Sequence, residues 1–214
     1  MFNYEEMKNK IILADCMDIM KDIPDKYFEL AIVDPPYGIG GDALHTDRAL
    51  KGAGKLKNIA LNKFQTKWDI APDENYFLEL KRISINQIIW GGNYFNLGRT
   101  RGFIIWDKLQ YFKNFSACEF AWTSFEKPSA MYQIDCKYSG KIHPTQKPVA
   151  LYRWLLQNYA KPGDKIIDTH SGSGSCAIAC HLEKFEFLAI EKDEDYYKAS
   201  VERLETLRSQ GVLF

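Results

Sequence analysis

Two short stretches of the chain hold residue types whose spacing could do chemistry. The first, Asp34-Pro35-Pro36-Tyr37-Gly38, follows directly on the apolar run Leu30-Ala31-Ile32-Val33. Two successive prolines fix φ and push the residue before each toward extended geometry, so the turn is stiff. It sets an acceptor and an aromatic ring side by side. Asp34 and the Pro35 carbonyl could take both protons of a planar exocyclic amino group while Tyr37 stacks on the base that bears it. The lone pair of such an amine is delocalised into its ring, and acceptors on its two protons favour the pyramidal, nucleophilic form. A nearby electrophilic methyl group would complete an in-line transfer. The plainer reading is a proline-stiffened loop carrying a surface aromatic.

The second stretch reads KIID, then THSGSGS, then a helical segment through Ala177 and His181, then FLAIE. Gly172, Gly174 and Ala177 match the pattern G-x-G-x-x-G/A, in which glycines admit a close ligand and the helix that follows favours negative charge. Glu191 closes the next apolar run, where an acid can bond ribose hydroxyls, so an adenosine-containing cofactor is expected. Asp168 opens the turn, and a carboxylate there repels a pyrophosphate but pairs with an ammonium. S-adenosyl-L-methionine has an ammonium, a sulfonium and no phosphate. A nicotinamide fingerprint normally opens its fold, whereas this turn lies near the end of the chain, so earlier residues must complete the sheet.

The elements that would position these groups alternate as in a parallel α/β sheet. Strands are expected at 11–14, 30–34, 87–90, 103–106, 117–123, 165–168 and 187–191, and helices at 73–84, 148–159, 175–183 and 196–209. The 214 residues, 46% of them hydrophobic, with 28 Lys+Arg against 28 Asp+Glu, suit one globular domain and exclude a coiled coil, a collagen or a disordered tail. No stretch is apolar enough for a membrane span or a secretory leader, and five cysteines without framework spacing suit a reducing, cytoplasmic setting as small buried hydrophobes. The neutral total hides an asymmetry. Segment 38–67 holds Arg48, Lys51, Lys55, Lys57, Lys63 and Lys67 against Asp42 and Asp47, whereas acids cluster between Glu183 and Asp195. A glycine-rich basic stretch of that length reads as a mobile loop, either a solvated charged face or a contact for phosphates.

Here a resemblance enters. DPPYG at 34–38, HPTQKP at 143–148 and DTHSGSG at 168–174, followed by AIEKDEDYY at 189–197, resemble in order and approximate spacing the amino-group DNA methyltransferases that use S-adenosyl-L-methionine. The order is the permuted one, with the DPPY motif ahead of the cofactor turn. The resemblance implies a circularly permuted Rossmann-like fold: a seven-stranded methyltransferase sheet with helices on both faces, formed by residues 1–214 as a single domain. It implies that Asp34, Pro35 and Tyr37 hold the base and catalyse, with Pro36 shaping the turn, and that Gly172, Gly174 and Ser175 line the methionine end of the cofactor. Asp168 would lie near its ammonium, Glu191 on its ribose, Thr145 and Lys147 near its carboxylate, and Asp15 with Cys16 near its adenine; for Asp15 a helix N-cap is an equal reading. The family tends to carry Asp-Pro-Phe where this chain has Asp168-Thr169-His170, so His170 would supply the flat ring.

By the same resemblance the substrate is adenine N6 in double-stranded DNA, flipped out of the helix. Arg48, Lys51, Lys55, Lys57 and Lys63 would anchor phosphates, with 38–67 and 108–141 left for target recognition and a homodimer as one way to complete it. A bacterial or phage-encoded cytoplasmic enzyme is implied. Cytosine N4, an RNA base and a protein amide are alternatives within methyl transfer; a nicotinamide-dependent oxidoreductase and a non-catalytic binding module lie outside it. Trp90-Gly91-Gly92-Asn93-Tyr94 and Trp106-Asp107-Lys108 are either walls of a base pocket or core aromatics at strand ends. Cys176, Cys180 and His181 make a poor zinc set, and no metal is expected.

Overall fold

The computed structural model describes residues 2–38, 69–110, 116–136, 142 and 146–210. Arg48, Lys51, Lys55, Lys57, Lys63 and Thr145 lie outside them, as do most of 38–67 and parts of 108–141. Among the described residues the elements are α1 (Tyr4–Met7), β1 (Lys10–Leu13), α2 (Cys16–Met20), β2 (Phe28–Val33), α3 (Glu74–Ile83), β3 (Ser84–Trp90), β4 (Phe103–Asp107), β5 (Cys118–Thr123), β6 (Ala130–Gln133), α4 (Val149–Tyr159), β7 (Lys165–Asp168), α5 (Ser175–Glu183), β8 (Glu186–Glu191) and α6 (Glu194–Ser209).

The strands form one sheet in the order β1-β8-β7-β2-β3-β5-β4-β6. It has eight strands where seven were expected. The extra one is β6, four residues at the sheet edge, paired in parallel to β4 and half exposed, too short and too weakly apolar to read as a strand. Neighbours are parallel except that β5 runs against both β3 and β4. The carboxyl ends of the other strands and the start of β5 therefore share one edge.

Alternation along the central strands fills two cores. Leu30, Ile32, Ile88, Trp90, Ile166 and Phe187 pack under α4, α5 and α6, while Ala31, Val33, Ile89, Ile167, Leu188 and Ile190 pack against α1, α2 and α3. Strands buried on both faces read as continuous apolar runs, as these do. Helix starts are set by carboxylates: Asp73 accepts from Tyr76 N at 3.1 Å, and Asp193 accepts from Asp195 N at 2.9 Å and Tyr196 N at 3.0 Å. Cys176 and Cys180 are buried in α5, and Cys16, Cys118 and Cys136 are only half-buried; all five are free. Among the described residues no helix is long and apolar enough to cross a membrane.

Leu155 of α4 is wholly buried against the sheet. Leu155→Ala should cost about 2–5 kcal/mol, read as a lower urea midpoint at unchanged slope.

Candidate functional site

From β7 the chain passes through α5 to β8 on one side, and from β2 it passes through α3 to β3 on the other. Between β7 and β2 the winding reverses, and the crevice outside the carboxyl ends of such strands is where open α/β sheets bind ligands. Asp168 ends β7 and Asp34 follows β2, so both carboxylates stand at this crevice.

Asp34 is held by two donors. Tyr37 Oη donates to Oδ1 at 2.7 Å and Lys147 Nζ donates to Oδ2 at 2.5 Å. Lys147 Nζ also lies 3.0 Å from Glu119 Oε2, 3.4 Å from Tyr37 Oη and 5.2 Å above the Trp90 ring. Glu119 Oε1 pairs with Lys108, whose ammonium lies 5.3 Å above the Trp106 ring. The result is a row of alternating charges, Asp34, Lys147, Glu119, Lys108. Burial alone would lower the Lys147 ammonium, but Asp34 and Glu119 outweigh it and hold it above its ordinary value. Burial likewise pushes Glu119 up, yet Lys147 and Lys108 win and keep its carboxyl below the usual range. At Asp34 burial prevails over Lys147, and the carboxyl is raised. Tyr37, buried and beside Asp34, keeps its proton far above the ordinary phenol value.

The double glycine after β3 explains how Tyr37 is seated. Gly91 has φ +69°, and a Cβ there would fall 2.2 Å from Tyr37 Cε1; one on Gly92 would fall 2.4 Å from Trp122 Cβ. Tyr94 then stacks on Tyr37 with ring centres 5.0 Å apart and planes 22° apart, its own ring about half exposed. Trp90 and Trp106 belong to the buried core, so that stretch supplies both a core and a wall.

Across the crevice, Gly172 (φ +50°) and Gly174 (φ +73°) make the turn that starts α5, conformations an L side chain rarely adopts. Glu191 spans the turn, taking Gly172 N at 2.6 Å on one oxygen and Lys192 N at 2.9 Å and Asp193 N at 2.8 Å on the other; burial raises its carboxyl. Asp168 accepts from His170 N at 3.1 Å, is 5% exposed, and is pushed by burial up to about 8. Among the described residues no cation forms an ion pair with it. Loss of hydration pulls His170 down to about 4, so its ring is neutral; Nδ1 lies 3.0 Å from Thr169 Oγ1, and Tyr76 meets the ring edge-on. The Ser171 hydroxyl is buried without a partner among the described residues.

Of the remaining expected residues, Ser175 is 2% exposed and its hydroxyl bonds Ser173 at 3.1 Å and Arg203 at 3.0 Å. Asp15 caps α2 through Met17 N at 3.0 Å and pairs with Lys192 at 2.7 Å, which holds its carboxyl low. Burial pushes the neighbouring Cys16 thiol up to about 12. Lys147, expected beside the methionine carboxylate, has its ammonium on Asp34 and Glu119. Sequence reasoning passed over Glu119, which enters the site only because β5 is antiparallel; the double glycine was the one signal that led to Tyr94. Among the described residues no group of His, Cys, Asp or Glu is arranged to hold a metal.

A family model described as DNA methylase matches residues 89–202. Type II methyltransferase M.HpaI of Haemophilus parainfluenzae is 26% identical, over 94% of this chain and 75% of its own length. Among solved structures, M1.HpyAVI in its complex with SAM shares the fold at TM-score 0.59 and 18% identity, over 91% of this chain and 98% of that one. The PvuII DNA methyltransferase, cytosine-N4-specific, does so at TM-score 0.59 and 13% identity, over 94% and 91%.

Gly91→Ala should cost about 1–3 kcal/mol in urea unfolding, because it adds a clash with Tyr37 to a strained φ. Gly98→Ala, with φ +84° and nothing within 4 Å of the added methyl, should show the strain alone, about 1 kcal/mol.

Proposed function

The chain belongs to the DNA methylase family, and on that footing we propose that it transfers a methyl group from S-adenosyl-L-methionine to the exocyclic amino group of adenine, N6, in double-stranded DNA, with the base flipped out of the helix. The carrying observation is the pair of aspartates flanking the β2/β7 crevice: Asp34 beside a stacking ring, and Asp168 buried at the glycine turn with no ion pair among the described residues. The motif order supports a permuted arrangement, since DPPYG precedes the turn.

The residues at the turn fit this cofactor. A buried acid that wants a cation suits an ammonium and opposes a pyrophosphate, which speaks against a nicotinamide. The two left-handed glycines carry no side chain between the turn and a ligand, and the buried Ser171 hydroxyl has no partner among the described residues. In this reading Asp168 faces the ammonium, Gly172, Gly174 and His170 line the methionine end, Glu191 exchanges the Gly172 amide for ribose hydroxyls, and Asp15 with Cys16 borders the adenine. When bound, the cofactor supplies a methyl group on a sulfonium whose sulfur takes back the electron pair of the broken bond. The chain does the rest. Asp34 and the Pro35 carbonyl accept the two amino protons and free the nitrogen lone pair; Tyr37 stacks on the base. As the nitrogen–carbon bond forms, the nitrogen sheds one proton, for which Asp34, its carboxyl raised by burial, is the adjacent acceptor. Arg48, Lys51, Lys55, Lys57 and Lys63 anchor phosphates.

Cytosine N4 is the second reading, favoured by the likeness to the cytosine-N4-specific PvuII enzyme. One assay separates the two. Label from S-adenosylmethionine incubated with unmethylated genomic DNA should appear in N6-methyladenosine after digestion to nucleosides; label in N4-methylcytosine would keep the mechanism and change the base. Asp34→Ala should lower transfer by about 100-fold or more with cofactor affinity held within about twofold. Asp168, neutral below about pH 8 in the empty site, must lose a proton to pair with the cofactor ammonium. Affinity should therefore rise with pH, approaching tenfold per unit between about pH 6 and 7.5, with one proton released per cofactor bound. Calorimetry in buffers of different ionisation enthalpy reads this, and Asp168→Asn should abolish the slope.

A further inference from the structure

Lys147 keeps 1% of its side chain exposed and stands between two carboxylates, 2.5 Å from Asp34 Oδ2 and 3.0 Å from Glu119 Oε2. An ammonium buried so fully must be paired, because leaving it alone in a low-dielectric site is costly. Asp34 is the acceptor that the proposed reaction assigns to the amino group of the base. Donors already sit there: Lys147 Nζ holds Oδ2 and Tyr37 Oη holds Oδ1. An exocyclic amine arriving at Oδ2 competes with the ammonium for that oxygen, and the other anion beside the ammonium is Glu119.

Glu119 is built to be that anion. Its Oε1 is fixed by Lys108, whereas Oε2 is buried and, though close to Lys147, accepts no hydrogen bond of good geometry. The Trp90 ring, 5.2 Å from Nζ, gives the ammonium an attractive surface beside both positions. We propose that Glu119 is a positioning residue, the anion that keeps hold of the Lys147 ammonium when the amino group of the base takes Asp34. Base seating and lysine displacement are then one exchange of donors. The charges agree with it, since the two lysines hold Glu119 as the firmer anion of the pair while burial loosens the hold of Asp34 on its charge. The exchange also selects the substrate class: a base edge with a carbonyl in place of the amine cannot replace the ammonium as donor and leaves the Asp34–Lys147 pair closed.

This inference rests on the reading of the chain as an amino-group DNA methyltransferase. The test compares wild type, Glu119→Gln and Glu119→Asp in kcat/KM for methyl transfer to unmethylated genomic DNA, with thermal melting and S-adenosylmethionine binding measured alongside. Glu119→Gln should lose about tenfold or more, because the displaced ammonium meets no charge, with cofactor affinity unchanged; Glu119→Asp should recover most of the loss. Glu119→Gln within about twofold of an active wild type, or Glu119→Asp no better than Glu119→Gln, overturns the inference alone. If Glu119→Gln melts early, Glu119→Ser replaces it under the same criteria. A wild type that labels no DNA overturns the functional reading as well.

Discussion

The parallel pairing of β2 with β7, Leu30 opposite Ile166 and Ala31 opposite Ile167, is the contact on which the site depends. Each strand runs out into a carboxylate, and the winding reverses between them, so no helix crosses over the gap. Both strands are buried on two faces, which ties the spacing of the two acids to the packing of two cores and leaves little freedom for either to drift. Two neighbouring like charges with little water would repel. The chain relieves this differently on the two sides. Asp34 is given Lys147, and Asp168 is left protonated below about pH 8.

That asymmetry gives the two halves different chemistry from the same residue type. The Asp34 half is rich in donors, with an ammonium and a phenol on the acid and Tyr94 stacked on Tyr37. The Asp168 half is an acid in want of a cation, next to glycines whose amides face a turn rather than a strand. The charged row continues from Lys147 through Glu119 on β5 to Lys108 just after β4, so the far half of the sheet, which contributes nothing to the glycine turn, fixes the electrostatics around Asp34.

Much of this was legible in the residues, for local reasons. β7 and α5 have their expected bounds because strand, glycine turn and helix are encoded by adjacent residues. β3 starts three residues before its expected first residue, Gln87, because α3 passes into it at Ser84 with no turn between, the Ser84 hydroxyl bonding Leu80 O in place of a loop. β6 was missed for want of apolar signal at an edge. The family match covers residues 89–202 and the shared fold most of the chain, so the amino-methylase reading rests on more than motifs. What spacing could not convey is strand polarity. Glu119 looks like an ordinary strand residue until β5 is seen to run against its neighbours, which carries its first residues to the edge that holds Asp34.

The same reversed strand makes β4 and β5 the two arms of a hairpin whose connected end lies on the rim of the crevice, clasped where Lys108 N bonds Ala117 O at 2.9 Å. Residues inserted between those two points leave every ladder bond of the sheet in place, and doubling such a connection adds only about 0.6 kcal/mol of closure entropy. The rim is therefore a place where the chain can lengthen and diversify while the floor of the crevice stays the same. New surface can be grown beside the pocket one insertion at a time.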